Sequence, residues 1–296
     1  MLLNRHIPIS YIFNKVKTDI GYVLVVALVV LYLTKTYHAL LPEMPFTIPT
    51  FLGTAISILL SFKLSQSYDR WWEARKIWGS IVNDSRSFVI QLQTLANMDR
   101  NKKKKIAYRQ IAWCYALGRS LRGLNPLENL ELYLSEKDYE EIKSHTNQSL
   151  ALLQLNALEL KERREHGQLT IFSQLKMDDT LVRLCDAQGR AERLKTTIFP
   201  VTYRMFLHFI IYLFIIVLSI ALKEIDWCFQ IPLLLLISSA FFLLEKSATI
   251  MQDPFENKPT DTAVTAIAKA IEINIKQLLK EENIPQPHQP DKFYLL

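Results

Sequence analysis

Apolar residues in this chain are bunched into four blocks, at 20–33, 49–62, 206–222 and 228–244. A helix that spans a bilayer needs about 20 mostly apolar residues, within a range of about 17–25. The third and fourth blocks meet that length, and the short polar connector 223–227 predicts a helical hairpin. The first block can extend through Tyr37 towards Leu41. The first two reach spanning length only if Lys35 and Lys63 stretch their stems and set their amines at the interface. Residues 1–19 are interrupted by polar groups, and the apolar block starts too late for a cleaved signal peptide.

Between the second and third blocks, 67–200 reads as helical. It is rich in Leu, Ala, Glu, Lys and Gln, and Leu150, Leu153, Ala157 and Leu160 recur at helical spacing. A further amphipathic helix is predicted at 261–282, with Ala263, Ile267, Ile271, Ile275 and Leu278 on one face and Asp261 or Thr262 as its cap. The run 101–105 (NKKKK) reads as a solvated turn, with a lipid-headgroup patch the lesser alternative, and the tail 285–296 as extended. The expected fold is all-α: a polytopic membrane protein with four transmembrane helices and a large helical cytosolic domain. Its layout is 1–66 for the first two spans, 67–200 for the helical domain, 201–246 for the last two spans, 247–284 for the amphipathic helix and 285–296 for the tail.

Composition sharpens this picture. The 296 residues are 50% hydrophobic and 22% charged, which excludes a disordered or collagen-like chain. Cys114, Cys185 and Cys228 are widely spaced, with no C-x-x-C pair, so neither a disulfide framework nor a zinc site is expected. The net charge of +6 comes from Lys and Arg crowded beside the apolar blocks, and no nucleic-acid partner is expected. Arg5, Lys15 and Lys17 precede the first span, while Lys63, Arg70, Arg75, Lys195 and Arg204 flank the long middle segment. The two short outer loops carry only Lys35, Glu43, Lys223, Glu224 and Asp226. By the positive-inside rule both termini and the middle segment are cytoplasmic, in a multi-pass protein of the cell (inner) membrane.

The second span holds the sharpest pattern. Gly53, Ser57 and Ser61 form a row of small residues four apart, which lets a neighbouring helix approach closely. The adjoining row, about 100° round the helix, is Thr54, Ile58 and Phe62. Two readings stand for that second row. It faces lipid or another helix, as most apolar residues of membrane helices do. Alternatively, several copies gather round an axis and the row forms stacked rings: hydroxyl, aliphatic, aromatic. A narrow apolar ring gates by dewetting, because an ion crossing it loses hydration without gaining a fixed charge.

Directly after this span comes SYDRWWEARKIWG at 67–79, which taken alone is an interfacial aromatic belt with basic anchors. The strings SFKLSQSYDRWWEARKIWGSIVNDSR (61–86), WCYALGRSLRG (113–123), IFPVTY (198–203) and DPFENKPTDTAV (253–264) follow in order with matching hydropathy. Together they resemble the bestrophin family in its short bacterial form, most distinctively in Arg70, Trp71, Trp72, Glu73 and Arg75. The resemblance implies a homopentameric channel for small monovalent ions in a lipid bilayer. Its pore helix would be 49–66, with an apolar neck at Thr54, Ile58 and Phe62 and packing through Gly53, Ser57 and Ser61. A second constriction would fall at Phe199, with Ile198 its neighbour if the register shifts by one. Thr54 departs from the aliphatic residue usual in the family. A hydroxyl can hold a hydrating water, so this ring should be the weakest barrier of the three.

In animal members the stretch after Asp-Pro-Phe becomes an acidic run that clasps calcium. Here one carboxylate position holds Lys258 and the other Asp261. Calcium takes 6–8 oxygen ligands, several of them anionic, so no calcium gating is expected. Glu256 and Asp261 are expected instead to cap the following helix. No G-x-S-x-G, H-E-x-x-H or Gly-rich phosphate loop is present, and the six histidines are scattered. No catalytic residue, cofactor or metal is therefore expected. His208, inside the third span, is expected to be neutral and hydrogen-bonded to a helix neighbour; Glu245 and Lys246 are expected to be an interfacial anchoring pair. Animal relatives conduct anions such as chloride and bacterial relatives are known for cations, so the resemblance leans slightly to cation conduction. A non-conducting membrane scaffold or sensor is the remaining alternative.

Overall fold

The computed structural model describes residues 1, 8–37, 44–197, 199–290 and 293–295. Among them the elements are all helical: α1 (Ile9–Thr36), α2 (Thr47–Leu95), α3 (Arg100–Leu121), a 3-10 turn (Leu130–Leu132), α4 (Glu136–Lys143), α5 (Gln148–Glu165), α6 (Ile171–Thr196), α7 (Val201–Ala221), α8 (Trp227–Gln252) and α9 (Val264–Leu278). Two compact units result. One holds 8–70 and 199–253; the other holds residue 1, 71–197 and the described residues from Pro254 onward.

The apolar unit contains four stretches long and apolar enough to cross a membrane, within α1, α2, α7 and α8. On α1, Val16, Asp19, Val23, Ala27, Val30 and Thr34 are buried, the three-to-four spacing of one helix face. Val16 and Val23 pack with Ile56 and Leu60 of α2, Leu207, Ile211, Phe214 and Ile215 of α7 and Phe242 of α8, and Ala27 packs with Leu222 and Leu234. Tyr22, Val25, Leu28 and Val29 on the other side of α1 stay exposed. The second span does not stop at 66. No proline or helix-ending glycine interrupts the chain beyond Pro49, and buried positions recur through Ala74, Ile77, Ile81, Phe88 and Leu92, so α2 runs for 49 residues.

In the other unit α3 is the central helix. Ile106, Ala107, Ile111, Trp113, Cys114 and Leu117 are buried on several sides of it, the mark of a helix enclosed by others. Burial pushes the Cys114 thiol up to about 12, which leaves it an inert packing group. Arg109 is buried on the same helix and binds Asp138 through both carboxylate oxygens, at 2.9 and 2.8 Å, and Glu159 at 3.2 Å. Burial alone would raise the Asp138 carboxyl; the Arg109 fork outweighs it and holds the carboxyl below its ordinary range.

The lysine run 101–105 is not a turn. It forms the first turns of α3, where Asp99 accepts the Lys102 N–H at 2.8 Å, an N-cap bond. Lys104 binds Glu281 at 2.8 Å, and the Lys103 amine donates to the Gln93 carbonyl at 3.2 Å. The amphipathic helix begins later than expected, at Val264, and neither Asp261 nor Thr262 caps it.

Gly118 of α3 explains the glycine in the string at 113–123. A Cβ there would stand 2.5 Å from Cγ1 of Val264, the first residue of α9, and 3.4 Å from the Trp78 ring. The close approach of α3 and α9 requires the missing side chain. Gly118→Ala should therefore destabilise the fold by about 1–3 kcal/mol through overpacking, seen as a lower melting temperature in detergent. An unchanged melting point would show that α9 can retreat freely.

Candidate functional site

Thr54, Ile58 and Phe62 stand on one exposed face of α2, with Ile58 53% and Phe62 62% exposed. Successive members are about 6 Å apart along the helix axis. The opposite face, Ile56, Leu60, Lys63 and Ser67, is buried. The Thr54 hydroxyl donates to the Thr50 carbonyl at 2.9 Å, so its proton is committed to the backbone and only its lone pairs face outward.

The small row divides. Gly53 is half-buried, and a Cβ on it would lie 3.3 Å from the Phe214 ring of α7. The helix it admits is thus one of the chain's own. Ser57 and Ser61 are exposed, and the Ser57 hydroxyl donates to the Gly53 carbonyl at 2.8 Å. Phe199 is half-buried just before α7 and meets Tyr203 edge-on, with ring centroids 5.8 Å apart. The Tyr203 hydroxyl in turn donates to the Leu59 carbonyl of α2 at 2.8 Å, a link the sequence pattern did not show. Ile198 lies outside the described residues.

The aromatic-basic string acts as a set of anchors. Arg70 Nε donates to the carbonyl of Gln252 at 2.7 Å, satisfying the last residue of α8, and the guanidinium lies 3.8 Å from Asp253. Trp71 Nε1 donates to the Thr260 carbonyl at 3.1 Å and its ring stacks on Trp72 at 6.4 Å. Glu73 pairs with Lys76 at 2.6 Å, and Arg75 is half-buried. Arg70 and Trp71 therefore tie α2 to the two ends of the Asp253-Pro-Phe loop, each within its own unit.

Lys63 does not reach for an interface. Its side chain is fully enclosed, and its amine binds Glu245 at 2.6 Å and the Thr249 hydroxyl at 2.8 Å. Glu245 and Lys246 are correspondingly not an anchoring pair. Glu245 is buried against Lys63, while Lys246 lies 3.2 Å from Asp19 of α1. The Nε2 of His208 stands 3.4 Å from Glu245 without hydrogen-bond geometry, and its ring meets Phe242 edge-on. This polar cluster joins α2, α7 and α8. Removing one member of a buried ion pair leaves an uncompensated charge and costs about 3–5 kcal/mol, whereas replacing both with apolar groups is often neutral. Lys63→Met should accordingly lower the melting temperature sharply, and Lys63→Met with Glu245→Leu should recover most of the loss. A double variant no better than the single would refute the pairing.

The Asp253-Pro-Phe loop does not fit calcium. Glu256 is held by Lys195 at 2.6 Å, and Lys258 brings its ammonium to 3.9 Å from the same carboxylate. One oxygen of Asp261 accepts the backbone N–H groups of Glu256 and Lys258, closing the loop from within instead of capping α9. Asp261 Oδ1 and the hydroxyls of Thr260 and Thr262 are buried without partners, but they amount to a single anionic oxygen beside two neutral ones. Calcium requires more anionic oxygen than that. Adding millimolar calcium or a chelator should leave the melting temperature of the purified protein within about 1 °C, since a ligand that does not bind the native state gives no stabilisation. A calcium-dependent rise would overturn this.

An all-α protein with four spanning helices, one of them extended far beyond the apolar unit, is a multi-pass membrane protein. The model of the bacterial/fungal bestrophin protein family matches residues 6–277, and the chain belongs to that family, one of ion channels and not of enzymes. It is 33% identical over 253 residues to a protein of Escherichia coli O157:H7 named voltage-dependent anion channel-forming protein YneE, covering 85% of this chain and 82% of the relative. The similarly named RSc3414 protein of Ralstonia nicotianae is 28% identical over 235 residues, covering 79% of this chain and 77% of the relative. The crystal structure of a bacterial bestrophin homolog from Klebsiella pneumoniae superposes with a TM-score of 0.85 at 26% identity, over 90% of this chain and 100% of that one.

Proposed function

We propose that the chain assembles as a homopentamer in the cell membrane, with both termini cytoplasmic, and conducts small monovalent anions through a pore lined by α2. The observation that carries this reading is the exposed row Thr54, Ile58, Phe62 on a helix whose opposite face is locked inward by a buried ion pair. A groove of about 480 Å³ between α5 and α6, lined by Leu150, Leu158 and Val182, supports assembly, since exposed apolar surface of this kind mostly serves association. In the proposed pore Phe62 and Ile58 form the dewetting rings, Thr54 the weakest one, and Phe199 the second constriction.

The slight lean to cations gives way to anions because the curated relatives are named anion channel-forming proteins. The apolar row itself carries no sign. The test is planar-bilayer recording of purified protein in asymmetric NaCl. Reversal should fall near the chloride equilibrium potential; reversal near that of sodium would restore the cation reading. Phe62→Ala should raise conductance by roughly tenfold, as for a barrier about 1.4 kcal/mol lower, and Thr54→Ala much less. Protein that passes no ion, in the wild type or in either variant, would leave the scaffold reading in place of the channel.

A further inference from the structure

The start of α7 and the end of α8 enclose a cavity of about 310 Å³, lined by Arg204, Met205, His208, Glu245, Lys246 and Thr249. It lies where the apolar blocks 206–222 and 228–244 give out, the depth at which lipid headgroups begin. Glu245 is partly neutralised, because Lys63 and Thr249 both bind its Oε1, at 2.6 and 2.8 Å, while its Oε2 stands 3.4 Å from His208 Nε2. Lys246 shares its charge with Asp19 at 3.2 Å. Arg204 is exposed and has no hydrogen-bond or ion-pair partner among the described residues. The cavity wall itself carries Arg204, Lys246 and Glu245, with Lys63 paired to Glu245 and Asp19 to Lys246 behind it. One guanidinium is left over, beside an imidazole whose Nε2 makes no hydrogen bond.

We propose that this cavity binds the phosphate group of an anionic phospholipid, with Arg204 as its principal contact. A guanidinium fork beside the ammonium of Lys246 matches the oxygens of a phosphodiester. A basic pocket between membrane helices is a known form of headgroup site. A metal cation or an amine would meet Arg204 as a like charge. Met205 (67% exposed) lines the cavity, and Phe209 (63%) and Leu244 (46%), next in sequence to His208 and Glu245, are exposed as well, an apolar surface for acyl chains that free phosphate would not use. The proposal stands on the apolar unit of a single chain and does not depend on conduction.

The test uses the full chain in nanodiscs of phosphatidylcholine with or without phosphatidylglycerol, read by melting temperature and by lipid retained in native mass spectrometry. The wild type should melt higher with phosphatidylglycerol and keep it on transfer to detergent. Arg204→Gln, at an exposed and unpaired position, should fold normally and lose about fivefold in affinity, the effect of one basic residue near a charged lipid surface. Arg204→Lys should recover part of it. Inorganic phosphate added to the phosphatidylcholine sample is the second arm: an Arg204-dependent rise there would support the phosphate site and assign it to a soluble anion, overturning the lipid as its occupant. Equal behaviour of wild type and Arg204→Gln with phosphatidylglycerol, or no preference for it over phosphatidylcholine, would overturn the proposal.

Discussion

A lysine amine with no access to water has to be satisfied by protein, and in this chain that requirement fixes the rotation of the long helix α2. Lys63 reaches Glu245 and Thr249 on α8, and only one rotation of α2 about its own axis permits this. At 100° per residue the row Thr54, Ile58, Phe62 then points about 140° away from Lys63. The three residues are therefore exposed because a charge on the other side of the helix is buried. An ion pair of this kind adds little net stability, since desolvation offsets most of the attraction. Its contribution is to penalise every other rotation, which would leave an uncompensated charge among apolar side chains.

Two further contacts act at either end of that constraint. Gly53 lets Phe214 of α7 come close near the start of α2, and Arg70 binds the Gln252 carbonyl at the end of α8. Tyr203 bonds the Leu59 carbonyl between them. The helix that carries the candidate neck is thus held to α7 and α8 along its buried side. The small row is divided: the glycine packs inside the chain, and Ser57 and Ser61 are left at its surface.

The four apolar stretches, the helical middle segment and the exposed row on α2 were legible because they follow from local rules: block length, three-to-four spacing and the angle between successive residues. The Lys63–Glu245 pair was not legible. Its members lie 182 residues apart, and each sits at the edge of an apolar block, where an isolated lysine or glutamate ordinarily turns to water. Nothing within either block distinguishes the two outcomes; only the approach of α2 to α8 does. The lysine run 101–105 misled for a related reason. Five polar residues in a row look like a turn, yet lysine is a good helix former and Asp99 supplies the cap. The glycines were ambiguous as well, since spacing shows that Gly53 admits a helix without showing which one.

An uncharged constriction imposes a dehydration cost on ions of either sign, so the neck proposed here gates without choosing. Thr54 bears on this, being the only polar side chain in the row. With its proton bonded to Thr50, the hydroxyl offers outward-facing lone pairs, which suit a cation or a water hydrogen better than an anion. Anion conduction would then depend on the hydroxyl turning to donate, or on that ring being wide enough for an anion to keep its water. Ile58 and Phe62 offer neither option, so in the proposed pore theirs are the rings where hydration would be lost. On the proposed reading, the sign of the conducted ion would be set where the path is wide and charged, so that barrier height and selectivity would reside in different residues.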